Sequence, residues 1–362
     1  MMGNQNCHAE ITFEDNVKWL ARFRLAKTIS PPREVRDCIL RSEAATMAYL
    51  REHTHIPIPK IFDWACESDP GNQIGVGYIL MEKLNGNPLD WQTATPAQRE
   101  KIMQQLVDVF LEIEKHPFEV MGSLISLAGD TTEFDVQGLA YPTTFRMGGG
   151  GPLGPFSSSL EGWRVILELY LAMIAGGEIG VDNPVDVYLA HRFRLDILDS
   201  LWGHVPSEGQ FFLKHPDDKG DHILVNDSFD IVGIIDWEWT HTVSKAEAFC
   251  SPCMMWPVGE FYDGSNELAK DELRLADIYR ERGREDLAKC VIEGRKFQRL
   301  FFALGPDGAF LDRKAFVDLF MGLKRTFGFG DVGWEEWKGK ALEKWESDDV
   351  LRGLLELELN GE

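Results

Sequence analysis

Two acids within residues 211–239, FFLKHPDDKGDHILVNDSFDIVGIIDWEW, are spaced for chemistry. Asp217 sits in a turn, His215-Pro216-Asp217, directly after a short apolar run. Asp236 closes a second apolar run, IVGII, and leads into Trp237 and Glu238. Strand formers on either side of Asn226-Asp227 predict a hairpin-like pair between them. Carboxylates brought together by a short β-hairpin suit phosphoryl transfer. One orients and deprotonates an attacking hydroxyl, and the other holds a Mg²⁺ that bridges nucleotide phosphates. Each acid also has a plainer reading, Asp217 as a cap on turn amides and Asp236 as a strand-end acid.

The elements that must position these acids are readable in outline. Residues 8–13 and 17–25 are strand-like and meet at Glu14-Asp15-Asn16, a hairpin turn. Ile39, Ala44, Met47 and Leu50 recur at helical spacing, which predicts a helix over 35–53, ended by the prolines at 57 and 59. Strands are expected over 60–66 and 74–84, the second closing at Asn85-Gly86. Past a linker near 84–90 the pattern turns helical. Thr95-Pro96-Ala97-Gln98 reads as a capping box with proline at the first helical position. Residues 117–160 read as loop, including the glycine run 148–151, and Ser158-x-x-Glu161 caps a helix beginning near Trp163. Further helices are expected over 187–202 and through 265–362. The division that follows is a small β-rich lobe, 1–86, and a large helical lobe, 87–362, that carries the acidic hairpin.

Composition narrows the partners. The 362 residues are 44% hydrophobic and 27% charged, as in a soluble globular protein. A formal net charge of −22 with no basic cluster argues against nucleic acid and allows a cationic or neutral small molecule. Among six cysteines only Cys250-Ser-Pro-Cys253 has metal or redox spacing, and it lacks a second pair, so these read as packing residues in a reducing compartment. The start, MMGNQNCHAE, has no signal-peptide pattern, and no apolar run reaches membrane-span length. A cytoplasmic protein is expected.

Seven segments, in order and spacing, resemble the aminoglycoside phosphotransferase and choline kinase-like family, its fungal branch above all. They are WLARFRL (19–25), RSEAATMAYLREHTHIPIPKIFDW (41–64), YILMEKLNG (78–86), GPFSSSLEGW (154–163), DNPVDVYLAHRF (182–193), LKHPDDKGDHILV (213–225) and GIIDWEW (233–239). The resemblance implies an α+β, two-lobed, protein-kinase-like fold and an ATP- and Mg²⁺-dependent small-molecule kinase. It makes Asp217 the base, with His215 supporting its loop, and Asp236 the Mg²⁺ ligand. Glu238 joins the metal or substrate site, or else makes a structural hydrogen bond. Arg22 becomes the phosphate-contacting cation, paired with Glu43 on the following helix. An acceptor pocket would draw on Trp163, Tyr170, Trp239, Met254, Met255, Trp256, Phe261 and Tyr262, residues that equally suit plain core.

Two departures stand out. The family's metal-binding Asn is expected five residues after Asp217, where this chain has His222. Imidazole offers Mg²⁺ nitrogen instead of oxygen, leaving His222 a water-mediated role, a proton-shuttle role, or none. Moreover, Met1 to Asn6 fall where a Gly-rich phosphate loop would end, so the lobe's first strand is expected to be missing, with Gly3 a relic of that loop. Two functions therefore stand side by side. One is phosphorylation of a hydroxyl on a small metabolite. The other is a kinase fold that has lost phosphoryl transfer and binds an organic metabolite, either for other acid–base chemistry in secondary metabolism or as a binding module.

Overall fold

The structure, a computed structural model, describes residues 6–25, 30–127, 133–141, 151–202, 209–301 and 312–361. Four strands and one helix make the small lobe: β1 (Asn6–Thr12), β2 (Lys18–Arg24), α1 (Arg33–His53), β3 (Ile61–Ala65) and β4 (Tyr78–Glu82). The sheet is antiparallel with strand order β1-β2-β4-β3. Its first turn uses the expected residues, with Asn16 in the left-handed region (φ 64°) and Phe13 N–H donating to Val17 O at 2.9 Å. Asn tolerates that region better than most residues.

The larger lobe opens with β5 (Asn87–Pro88), α2 (Pro96–Glu114), β6 (Ser123–Ser126), β7 (Phe134–Gln137), α3 (Ser159–Ala175) and α4 (Pro184–Trp202). Next come β8 (Phe211–Lys214), β9 (Ile223–Val225), β10 (Ile231–Ile234), β11 (His241–Ser244) and two short helices, α5 (Lys245–Ala248) and α6 (Val258–Tyr262). Helices α7 (Lys270–Glu281), α8 (Glu285–Ile292), α9 (Arg295–Phe301), α10 (Arg313–Thr326), α11 (Trp334–Lys344) and α12 (Asp349–Gly361) complete it.

Caps act as the sequence predicts. Thr95 Oγ1 accepts from Gln98 N while the Gln98 side chain accepts from Thr95 N, a full capping box on α2. Ser158 likewise caps α3, which starts at Ser159, earlier than the expected Trp163. Proline at the first turn brings α4 forward to 184, against an expected 187.

Two expectations are corrected. Within the stretch read as loop, β6 and β7 pair, burying Leu124 and Val136; strands of four residues give too little alternation to be read. The linker is not free chain either. β5 pairs with β9, Asn87 opposite Val225 and Pro88 opposite Leu224, and Leu89 N donates to Ile223 O at 2.8 Å. Gly86 permits that approach, since a Cβ there would lie 2.6 Å from the Val232 side chain. One apolar core runs across both lobes, joining Met47, Leu50 and Ile79 of the first to Leu106, Trp237 and Ile278 of the second. Among the described residues no helix is long and apolar enough to cross a membrane.

Candidate functional site

β8 is buried and ends at Lys214, so the chain leaves the core directly into His215-Pro216-Asp217-Asp218. β9 and β10 pair antiparallel (Ile223 opposite Ile234) with an irregularity between Ile231 and Gly233, and β10 delivers Asp236. Asp236 and Trp239 both hold left-handed backbone, φ 62° and 66°. Such backbone costs energy in a non-glycine residue and gathers where surrounding structure holds a functional group in place.

His215 ties the two acid-bearing segments together. Its Nε2 donates to Ile235 O at 3.0 Å, and its ring lies edge-on to Trp237, centroids 5.0 Å apart. Burial lowers its pKa, yet Asp236, Asp218 and Asp217 are all near enough to pull the other way. His215 thus sits among three acids as a neutral fastener. His222 stacks on it at 4.2 Å and lines a small interior cavity of about 40 Å³ with Leu106, Phe110 and Met254. Burial, with the nearby His215 and Lys214, pushes its pKa well down. A neutral imidazole turned into this cavity offers Mg²⁺ no oxygen.

The two neighbouring acids of the loop divide the work. Asp218 accepts from Lys214 Nζ at 3.1 Å and from Cys253 N at 2.9 Å, pinning the loop. Asp217 keeps 36% of its side chain exposed, with Lys219 Nζ 3.1 Å away. Partial burial raises its pKa, the lysine opposing.

Across the cleft, Arg22 on β2 reaches Glu43 on α1 with Nη2 and Asp236 Oδ1 with Nη1 at 3.2 Å. Burial disfavours its charge, but Glu43, Glu238 and Asp236 together outweigh that and push its pKa up. Two residues along the same strand face, Arg24 pairs with Glu238 Oε1, and Asn6 Nδ2 donates to Oε2 at 3.2 Å. Glu238, with 5% of its side chain exposed, is therefore engaged within this buried network, whereas Asp236 is 52% exposed. Asp236 suits Mg²⁺, which binds through one or two carboxylates plus phosphate oxygens and keeps its waters. Arg24 escaped the sequence reading, although the two-residue spacing of Arg22-x-Arg24 matches that of Asp236-x-Glu238. Gly3 lies outside the described residues, as does most of the glycine run.

Beside the loop is a cavity of about 300 Å³. Trp163, Tyr170 and Trp256 line it; Trp239 and Tyr262 do not, and Trp239 touches its wall through Tyr141, ring centroids 6.1 Å apart, and through its carbonyl on His241. Tyr141, Lys214 and His241 are wall residues the sequence reading missed. Burial pushes the Tyr141 phenol up to about 12, and the charges of Tyr170 and Asp217 add to it. Its wall includes Pro216 and Asp218, the chain neighbours of Asp217. All six cysteines are free, and Cys250 and Cys253 are buried packing residues.

A sequence model of the phosphotransferase enzyme family matches residues 16–241. A subtelomeric hrmA-associated cluster protein of Aspergillus fumigatus is 35% identical over 85 residues, 23% of this chain and 16% of that protein. The match thus spans under a fifth of the relative's length. The GDP complex of wild-type aminoglycoside 2'-phosphotransferase-IIIa superposes with TM-score 0.51 at 15% identity, covering 90% of each chain. A fructosamine-3-kinase-type protein from Thermobifida fusca gives 0.50 at 18% identity, covering 90% of this chain and 91% of that one. At such identities these likenesses speak for the fold, a two-lobed kinase-like one.

Proposed function

The chain belongs to the phosphotransferase enzyme family, and from that premise we propose that it transfers a phosphoryl group from a nucleoside triphosphate, ATP above all, to a hydroxyl of a small metabolite. The observation that carries this reading is the 300 Å³ cavity at the Asp217 loop, whose wall includes Pro216 and Asp218 on either side of that acid in the chain. A hydroxyl held there would approach the Asp217 carboxylate, which is 36% exposed and shared with Lys219. Partial burial keeps that carboxylate more basic than usual, which suits a base. Arg22, braced by Glu43, contacts the phosphates. Asp236 would hold Mg²⁺, which when bound would offset charge on the nucleotide phosphates. His215 keeps the two acid segments in register. The rest is positioning and charge complementarity. The division near residue 86 and a cytoplasmic setting belong to this same proposal.

One observation favours the second reading, a kinase fold that binds an organic metabolite without phosphoryl transfer. His222 offers no oxygen where the family has Asn, and it is turned inward. Titration calorimetry with ATP, with and without Mg²⁺, separates the two. Magnesium-dependent binding at micromolar to low-millimolar affinity supports transfer. Absence of heat, with no thermal stabilisation by any nucleotide, sinks it. His222→Asn should raise nucleotide-dependent turnover, and an unchanged rate would remove that position from the metal question.

A further inference from the structure

β11 runs antiparallel to β8 with His241 directly opposite Lys214, so the strand that feeds the Asp217 loop carries His241 at its flank. His241 Nδ1 lies 3.0 Å from the Trp239 carbonyl, which can only accept; Nδ1 therefore holds the hydrogen. Burial lowers the pKa of this imidazole, outweighing the opposite pull of the Trp239 bond. Nε2 consequently keeps a lone pair, and no described residue supplies it a donor.

The wall around it is aromatic. Trp163 stacks on Phe301 with centroids 3.9 Å apart and planes 17° from parallel, and Trp256 and Tyr170 add to the lining. Trp163 also has a buried indole N–H that finds no acceptor. Its charged lining is balanced, Arg194 and Lys214 against Asp218 and Glu247, with Asp218 committed to Lys214 and the Cys253 amide. Such a wall does not attract a polycation. The unmatched acceptor at His241 Nε2, on the cavity wall, is what the O–H of a ligand hydroxyl answers. The volume is at the small end for ligand pockets, roughly 300–1,000 Å³.

We propose that this cavity selects an uncharged, planar aromatic or fused-ring hydroxy compound, with a hydrogen-bond donor of the ligand seated on His241 Nε2, and that it does not take polycationic amino sugars. As the identity of the phosphoryl acceptor, this rests on the phosphotransfer reading; as a statement about binding, it stands on the cavity alone.

Titration calorimetry of the full chain with 2-naphthol, 2-methoxynaphthalene and kanamycin, without nucleotide, tests it. The wild type should bind 2-naphthol roughly 3- to 10-fold tighter than the methyl ether, which cannot donate, and kanamycin more weakly than either. His241→Phe should bind both naphthalenes and lose the preference. His241→Gln should retain part of it through the amide oxygen. Equal affinity of the two naphthalenes for the wild type overturns the proposal, as does tighter binding of kanamycin. The wild-type comparison decides even if a variant fails to fold. Naphthol selectivity without any binding of Mg–ATP would sink phosphoryl transfer and leave the cavity assignment intact. Nucleotide binding with no naphthol preference would do the reverse.

Discussion

Asp236 and Glu238 stand two residues apart, and their surroundings give them opposite tasks. Asp236 is half exposed at the cleft, while Glu238 is buried against Arg24. Asp236→Ala should abolish Mg²⁺-dependent nucleotide binding by calorimetry and leave the urea midpoint close to the wild type. Glu238→Ala should do the opposite to stability, costing about 3–5 kcal/mol, because Arg24 stays buried without its partner. Asp217→Asn should lower turnover by about 10²–10⁴ with nucleotide affinity retained. Since burial raises the Asp217 pKa, the acid limb of the rate profile should lie above the ordinary aspartate range, activity falling as pH drops through it. The turn that carries Asp217 and the strand end that carries Asp236 were legible because local sequence announces both. The Arg24–Glu238 pair was not, since its members are 214 residues apart and only the tertiary fold joins them. Nor does a sequence say which way His222 turns.

Helix α2 illustrates what can be read at the level of an element. Its capping box lies within four consecutive residues, and Thr95→Ala should cost about 1 kcal/mol in urea unfolding. Its outer face meets α7, where Arg274 donates to Glu100 from Nε at 2.9 Å and from Nη2 at 2.7 Å. Those bonds pull the Glu100 carboxyl down to about 2 from 4.5. A depressed carboxylate stabilises the fold above its unfolded pKa and loses that contribution as pH falls through the folded one. The difference in melting temperature between wild type and Glu100→Gln should therefore be present at neutral pH and close between pH 4.5 and about 2. A gap that persists at the acid end would show that the arginine holds the helices by packing instead of charge. Elements without caps or periodicity escaped the sequence: β6 and β7 have four residues each, and β5 has two. Pairing of such short strands is decided by their partners, not by their own residues.

At the scale of the molecule, a net charge of −22 means that like charges crowd the folded state. Screening should relieve this, so the melting temperature should rise between about 0.01 and about 0.2 M salt; a fall would show that surface ion pairs dominate. The two-lobed layout was legible because strand-like segments dominate the first 86 residues and helical periodicity most of the rest. How firmly the halves are joined was not. On the proposed division near residue 86, the covalent crossing at Asn85-Gly86 is accompanied by the Ile234 N–H to Pro57 O bond at 2.9 Å, the buried Arg24–Glu238 pair and the shared apolar core. The backbone at that crossing is consequently redundant as a fastener. A molecule nicked there would travel through a sizing column as one particle, and its two halves, made as separate polypeptides, would reconstitute each other.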